Sequence, residues 1–334
     1  MKQNRFIIAI ASGITMIILV GFISMFLGRY MINPFKVVQI LYSNMTGNAL
    51  DTVQNTIVWD IRLPRIFLTM MVGAGLSVAG AAFQGCFHNP LVSPDLLGVS
   101  AGAGFGAALG ILYTSDVFGI TPLLSFGFGV LAVSASWLLS RIKKNSTILS
   151  LILSGIIISS VFHSLISLIK FVADTDSQLP AITYWLMGSF ANTSWDNVIF
   201  AVLPISVGIF ILFSLRWHIN ILTLGDEEAK TLGVKPEKIR IIIILASTMI
   251  TASAVMMTGI IGWVGLIIPN LCRMIIGSDY KYLMPLACIL GALFMMSIDI
   301  IARVITPAEI PIGVLSALIG APFFAIVYSK TKGI

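Results

Sequence analysis

The feature that most constrains this chain is a succession of ten apolar runs, at about 6–28, 66–87, 96–113, 119–140, 148–169, 198–215, 241–258, 260–276, 283–302 and 312–329. Each is close to the length of about 20 residues that a helix needs to cross a bilayer. Runs of this kind in lipid must satisfy every backbone N–H and C=O within themselves, which leaves α-helices as the only elements available. Composition agrees: 57% of the 334 residues are hydrophobic and 10% are charged, against about 25% charged in soluble domains. The expected fold is an all-α polytopic membrane protein of ten spans, forming one domain over 1–334.

Orientation follows from the 20 lysines and arginines. With the N-terminus inside, only Arg29, Lys36, Arg62, Arg65, Lys170 and Arg303 fall outside, and the other fourteen fall inside. That imbalance predicts cytoplasmic termini. The first run is too long for a signal-peptide core and is followed by Gly28, Arg29 and Tyr30 without a small-x-small cleavage pattern, so it reads as the first span. Cys86, Cys272 and Cys288 lie in apolar surroundings, odd in number and far apart, and form no disulfide or zinc framework. His88, His163 and His218 have no ligand spacing; His163, inside an apolar run, reads as a hydrogen-bonded packing residue.

The exception to this apolar pattern is 216–240, which holds Arg216, Asp226, Glu227, Glu228, Lys230, Lys235, Glu237, Lys238 and Arg240. Gly225 followed by three acids marks a helix N-terminus; Lys230, then Gly233 and Pro236, mark its end. Such a helix has about two turns and is marginal alone. Its narrow apolar edge of Leu224, Ala229 and Leu232 calls for a partner surface. Either it is a solvated loop between spans, or it docks a soluble subunit that transmits force.

Other stretches are less specific. Gly98, Gly102, Gly106 and Gly110, and Gly73, Ser77 and Ala81, recur every fourth residue and predict close helix packing. In the external segment 174–197, Leu179 to Phe190 reads as a short interfacial helix anchored by Tyr184 and Trp185. Arg62, Arg65 and Arg303 defy the inside bias and suggest a site for acidic groups; Arg303 is also spaced to pair with Asp299.

These residues carry a resemblance. Arg62-Leu63-Pro64-Arg65, Gly80, Gln84, Asn89-Pro90-Leu91, Pro94, Leu97-Gly98-Val99-Ser100 and Gly102-Ala103 resemble the FecCD-type permeases of ABC importers, which include the vitamin B12 permease. Trp185-Leu186-Met187-Gly188, Leu224-Gly225, Ala229, Leu232-Gly233 and Gly262 to Pro269 continue the match in order. Asp299, Ala302-Arg303 and Glu309-Ile310-Pro311-Ile312-Gly313 complete it, over about 60–325. Two positions depart from the common pattern: His88 stands where many relatives have arginine, and Asn270 where many have histidine.

The resemblance implies a vitamin B12 permease-like fold of ten helices, two copies of which enclose a pathway above a dimer of cytoplasmic ABC ATPases. It implies that Leu224, Gly225, Asp226, Glu227, Glu228, Ala229, Lys230, Leu232 and Gly233 form the ATPase-coupling helix. Arg62, Arg65 and Arg303 would dock an extracytoplasmic binding protein, and Ser146 and Thr147 would lie at the cytoplasmic gate. The second permease would be the same chain or a paralogue, in the plasma membrane, with no nucleic acid involved. The implied cargo is an iron(III)-siderophore chelate, or alternatively haem or cobalamin. The chain has no G-x-x-x-x-G-K-[ST] loop, so ATP and Mg²⁺ would be used by the partner and no cofactor would be held here. An ion-coupled transporter would place ionisable groups deep in its spans, where only Asp299 and His163 qualify. A membrane-embedded enzyme would need a catalytic cluster, and neither paired carboxylates nor H-E-x-x-H is present.

Overall fold

The computed structural model describes residues 2–48, 52–114, 119–142 and 148–330. Each of the ten expected runs falls on a helix: α1 (Lys2–Phe26), α4 (Leu63–Cys86), α5 (Val99–Tyr113), α6 (Ile120–Ser140), α7 (Ile148–Val172), α9 (Trp195–Ser214), α12 (Pro236–Thr258), α13 (Val264–Ile276), α14 (Tyr280–Val304) and α15 (Ile312–Lys330). Among the described residues, seven helices are long and apolar enough to cross a membrane, while α5, α13 and the described apolar part of α15 are shorter. Between them lie α2 (Pro34–Met45), the one-turn α3 (Val53–Asn55), α8 (Gln178–Leu186), α10 (Arg216–Leu222) and α11 (Asp226–Thr231). A π-helical stretch, Thr56–Arg62, runs straight into α4, and a 3-10 turn, Pro94–Leu97, leads into α5.

α4 is the axis of the bundle. Nearly all of its side chains are buried, and α9, α12, α13 and α14 pack around it. Small residues make this possible, because without an apolar driving force between helices in lipid, close backbone approach supplies the packing energy. A Cβ at Gly73 would lie 2.2 Å from the Gly291 carbonyl oxygen of α14, and one at Gly80 would lie 2.1 Å from that of Gly265 of α13. The glycine row on α5 does the same against α6: Gly102 faces the Phe128 carbonyl and Gly106 that of Leu124. Gly98 instead turns the chain into α5 with φ +86°.

The boundaries depart from the apolar runs where backbone geometry intervenes. The break between α12 and α13 occupies Gly259 to Trp263, with φ +70° at Gly259 and +72° at Trp263, so α13 starts later than its run. α12 begins earlier, at Pro236, whose fixed φ and missing N–H suit a first helical turn. Cys86 and Cys272 are buried and free, and Cys288 is half-buried. α1, by contrast, lies along α14 with its other sides open, as expected of a span bathed in lipid.

Candidate functional site

The charged window folds into a bent pair, α10 and α11. Gly225, at φ +122°, lets the chain turn between them, and the Ala229 N–H closes the first turn on the Gly225 carbonyl at 3.0 Å. At the other end the Val234 N–H reaches the Ala229 carbonyl and the Gly233 N–H that of Lys230, each at 3.0 Å. With Gly233 at φ +78°, this is a Schellman stop. The helix therefore begins and ends at the glycines the sequence marked. Ala229 is fully buried against the bundle, whereas Leu224 and Leu232 are 61% and 55% exposed. Lys230 pairs with Glu227 at 2.8 Å in the open, and that hydrogen bond holds the ammonium above the ordinary lysine range.

What fixes α10 and α11 to the spans was not visible in the sequence. Asp226 accepts from Arg240 of α12 at 2.9 and 3.2 Å. Asn220 donates to Asp279 at 2.8 Å and accepts from the Tyr280 N–H at 2.9 Å, tying α10 to the start of α14. His88, beyond the end of α4, contacts the Leu222 carbonyl through its Nε2. Beneath this, Arg273 of α13 donates to Gln84 of α4, to Asn270 at 3.0 Å and to the Tyr280 hydroxyl at 3.2 Å. Asn270 in turn donates to the Pro90 carbonyl at 3.2 Å. Both positions that depart from the common pattern, His88 and Asn270, thus sit in the joint between the charged helix and the spans.

The opposite end of α4 carries the arginines. Arg62, Arg65 and Arg303 are 5%, 4% and 7% exposed, so none stands free at the surface. Arg65 takes Asp299 at 2.8 Å and holds Glu309 through both carboxylate oxygens at 3.1 and 2.9 Å. Arg303 pairs with Asp299 at 3.1 Å, the expected i, i+4 contact, and also reaches Ser24 of α1. Arg62, at the end of the π-helical stretch, donates to the carbonyls of Met25 and Tyr30. Two guanidiniums, Arg65 and Arg303, face the two carboxylates, and Glu309, with its side chain 19% exposed, is the most exposed of these four groups. π-helical turns recur at functional sites. No residue pattern over Thr56–Arg62 marks this one in advance.

Two further features lie on other helices. A short helix forms where one was expected, as α8, shorter than Leu179 to Phe190 because Gly188, at φ +74°, ends it. It is knitted to its neighbours: the Ser189 N–H reaches the Thr258 carbonyl at 2.7 Å, and the Ile312 and Gly313 N–H groups reach Gly188 and Met187 at 2.9 and 3.0 Å. On α7, Ser160, His163, Ser164 and Ser167 share one exposed face at spacings of three, one and three. His163 is therefore exposed on its helix and does not pack in the core. Ser146 and Thr147 lie outside the described residues.

A bundle that crosses the membrane repeatedly, presents a short charged helix below α4 and clusters arginines above it defines an integral-membrane permease. Comparison with known proteins agrees. The model of the FecCD transport family matches residues 16–330, and the chain belongs to that family. It is 41% identical to the molybdate import system permease protein MolB of Haemophilus influenzae, over 96% of this chain and 95% of that one. It is 37% identical to a probable iron chelatin transport system permease protein of Helicobacter pylori, over 83% and 84%. Among solved structures, an inward-facing conformation of a putative metal-chelate type ABC transporter superposes with a TM-score of 0.86 at 38% identity, covering 96% and 98%. The protein is a permease of the ABC importer class.

Proposed function

We propose that this permease passes a metal-containing chelate of the iron(III)-siderophore class into the cytoplasm, driven by a separate ATPase dimer that uses ATP and Mg²⁺. The supporting observation for the drive is α11: a helix that carries three acids is flanked by two exposed leucines, Leu224 and Leu232, apolar side chains beside charges that suit a protein partner. ATPase closure would push Leu224 to Gly233, and the Asp226–Arg240 and Asn220–Asp279 bonds would pass the displacement to α12 and α14. The chain itself holds no cofactor. Both termini face the cytoplasm, and a second copy or paralogue completes the pathway in the plasma membrane.

Docking of an extracytoplasmic binding protein at Arg62, Arg65 and Arg303 follows the same reading, with one addition. Because Glu309 already occupies Arg65, a partner carboxylate would enter by displacing it. The cargo class rests on the 38% identity to the metal-chelate transporter. Molybdate is the second reading, favoured by the 41% identity to MolB over nearly the whole chain.

The test is reconstitution of the permease with its copurifying ATPase and binding protein in proteoliposomes. Uptake of labelled ferric siderophore that needs ATP supports the proposal, and uptake of labelled molybdate alone replaces the cargo. The double substitution Glu227→Lys, Glu228→Lys is expected to weaken ATPase association at least about tenfold by reversing the charge of the docking face. Association as tight as wild type would remove the coupling role.

A further inference from the structure

The chain between α1 and α4 builds an element that the transport reading does not use. α2 starts on Asn33, whose side chain accepts from the Phe35 N–H at 2.9 Å, with Pro34 at the first helical position. On its inner side Val37 and Ile40 are buried with Ile32 and Val58, against Phe22, Met25 and Phe26 of α1. The opposite side is apolar as well. Phe35, Val38, Tyr42 and Met45 follow one another at helical spacing, Met31 stands just before the helix, and all five are between 53% and 87% exposed. A helix apolar on both sides is a helix covered on both, and a row of five large side chains is an interaction surface.

Three observations identify what covers it. The first is height. α4 runs 24 residues, or about 36 Å at about 1.5 Å each, against a hydrocarbon core of about 30 Å. Its first turn and the π-helical stretch before it therefore reach headgroup level, and α2 packs on that stretch through Ile57 and Val58. The second is chemistry. Phe35, Tyr42 and the half-exposed Tyr30 are aromatic rings of the kind that settle at a membrane interface, and Arg29 and Lys36 flank the row with cations. The third is continuity. The α1 turns leading up to α2 expose Ile14, Ile18, Leu19 and Ile23, so large apolar side chains stand open along α1 up to the chain that enters α2.

We infer that α2 lies in the headgroup boundary of the outer leaflet, its Met31–Phe35–Val38–Tyr42–Met45 row dipped among phospholipid acyl chains. Lipid then presses α2 onto the π-helical stretch and braces the turn that carries Arg62. The experiment places a bimane label on Tyr42→Cys or Gln39→Cys in the full chain carrying Cys288→Ser, reconstituted in phosphatidylcholine–phosphatidylglycerol vesicles. Both positions are exposed, so neither label disturbs packing. The Tyr42 label is expected to be quenched at least about threefold more by shallow doxyl-lipid than by iodide, and the Gln39 label the reverse. Equal iodide access at the two positions would overturn the proposal. So would shielding of the Tyr42 label from both quenchers, which would assign the row to a protein.

Discussion

At the scale of single residues, the outer cluster shows how one buried carboxylate can govern several helices. Asp299 bridges Arg65 of α4 and Arg303 of its own helix at 2.8 and 3.1 Å, and both acid and cations are almost fully buried. Removing its charge leaves Arg303 with no carboxylate and Arg65 with Glu309 alone, and breaking such a buried pair costs about 3–5 kcal/mol. Glu309 meets Arg65 with its side chain 19% exposed, so water partly screens that pair and losing its charge costs less than losing that of Asp299. Asp299→Asn is therefore expected to lower the unfolding temperature in detergent far more than Glu309→Gln. A larger loss from Glu309→Gln would mean that it, not Asp299, anchors the cluster. Part of this site is legible in the sequence: Asp299 and Arg303 stand four apart, the spacing of a helical ion pair. The Arg65 contacts join residues more than 200 positions apart, and only the packing of α14 on α4 creates them. For the same reason the arginines read as outward-facing cations, because charge distribution reports side of membrane but not burial.

Among elements, the helices were easier to read than their connections. Runs of apolar residues in lipid have one structural solution, so each expected run met a helix, and the acid-then-glycine pattern located α11 to within a residue. α2 and the π-helical stretch escaped because their signals are short and lie between charged residues where a loop is the default. The glycine rows were read as packing faces without a partner, which periodicity cannot supply; the structure pairs α5 with α6 and α4 with α13 and α14. That pairing makes a prediction. At Gly73 even a methyl group would overlap the Gly291 backbone at 2.2 Å, and backbone cannot swing aside as a side chain can. Gly73→Ala is expected to cost at least about 1–3 kcal/mol, the usual penalty of overpacking. Gly127→Ala on α6, where nothing lies within 4 Å, should leave the unfolding temperature unchanged. Equal effects would show that α4 and α14 are not held by close approach.

For the molecule as a whole, the exposed surface of α7 poses a problem that one chain cannot solve. Its other sides pack on α5, α6 and the 3-10 turn, leaving Ser160, His163, Ser164 and Ser167 outward in the middle of a 25-residue span. The serine hydroxyls donate back to carbonyls of their own helix at 2.9 to 3.0 Å, which tempers their polarity. The imidazole of His163 has a ring with two polar nitrogens, and ionisable groups within spans face protein or water in preference to lipid. Such a stripe, set among exposed aliphatic side chains such as Ile157, Val161 and Leu168, would suit a second permease subunit or a water-filled path between two copies. Replacing all four residues by leucine separates these from a lipid-facing surface. If the stripe borders the path, ATP-dependent uptake in proteoliposomes should fall at least about tenfold while the ATPase still copurifies, because hydration of the route is lost but α11 is untouched. If it forms the subunit contact, cross-linked permease dimers should diminish along with uptake. Uptake and dimer yield both at wild-type levels would place α7 against lipid and leave the path to be lined by other helices.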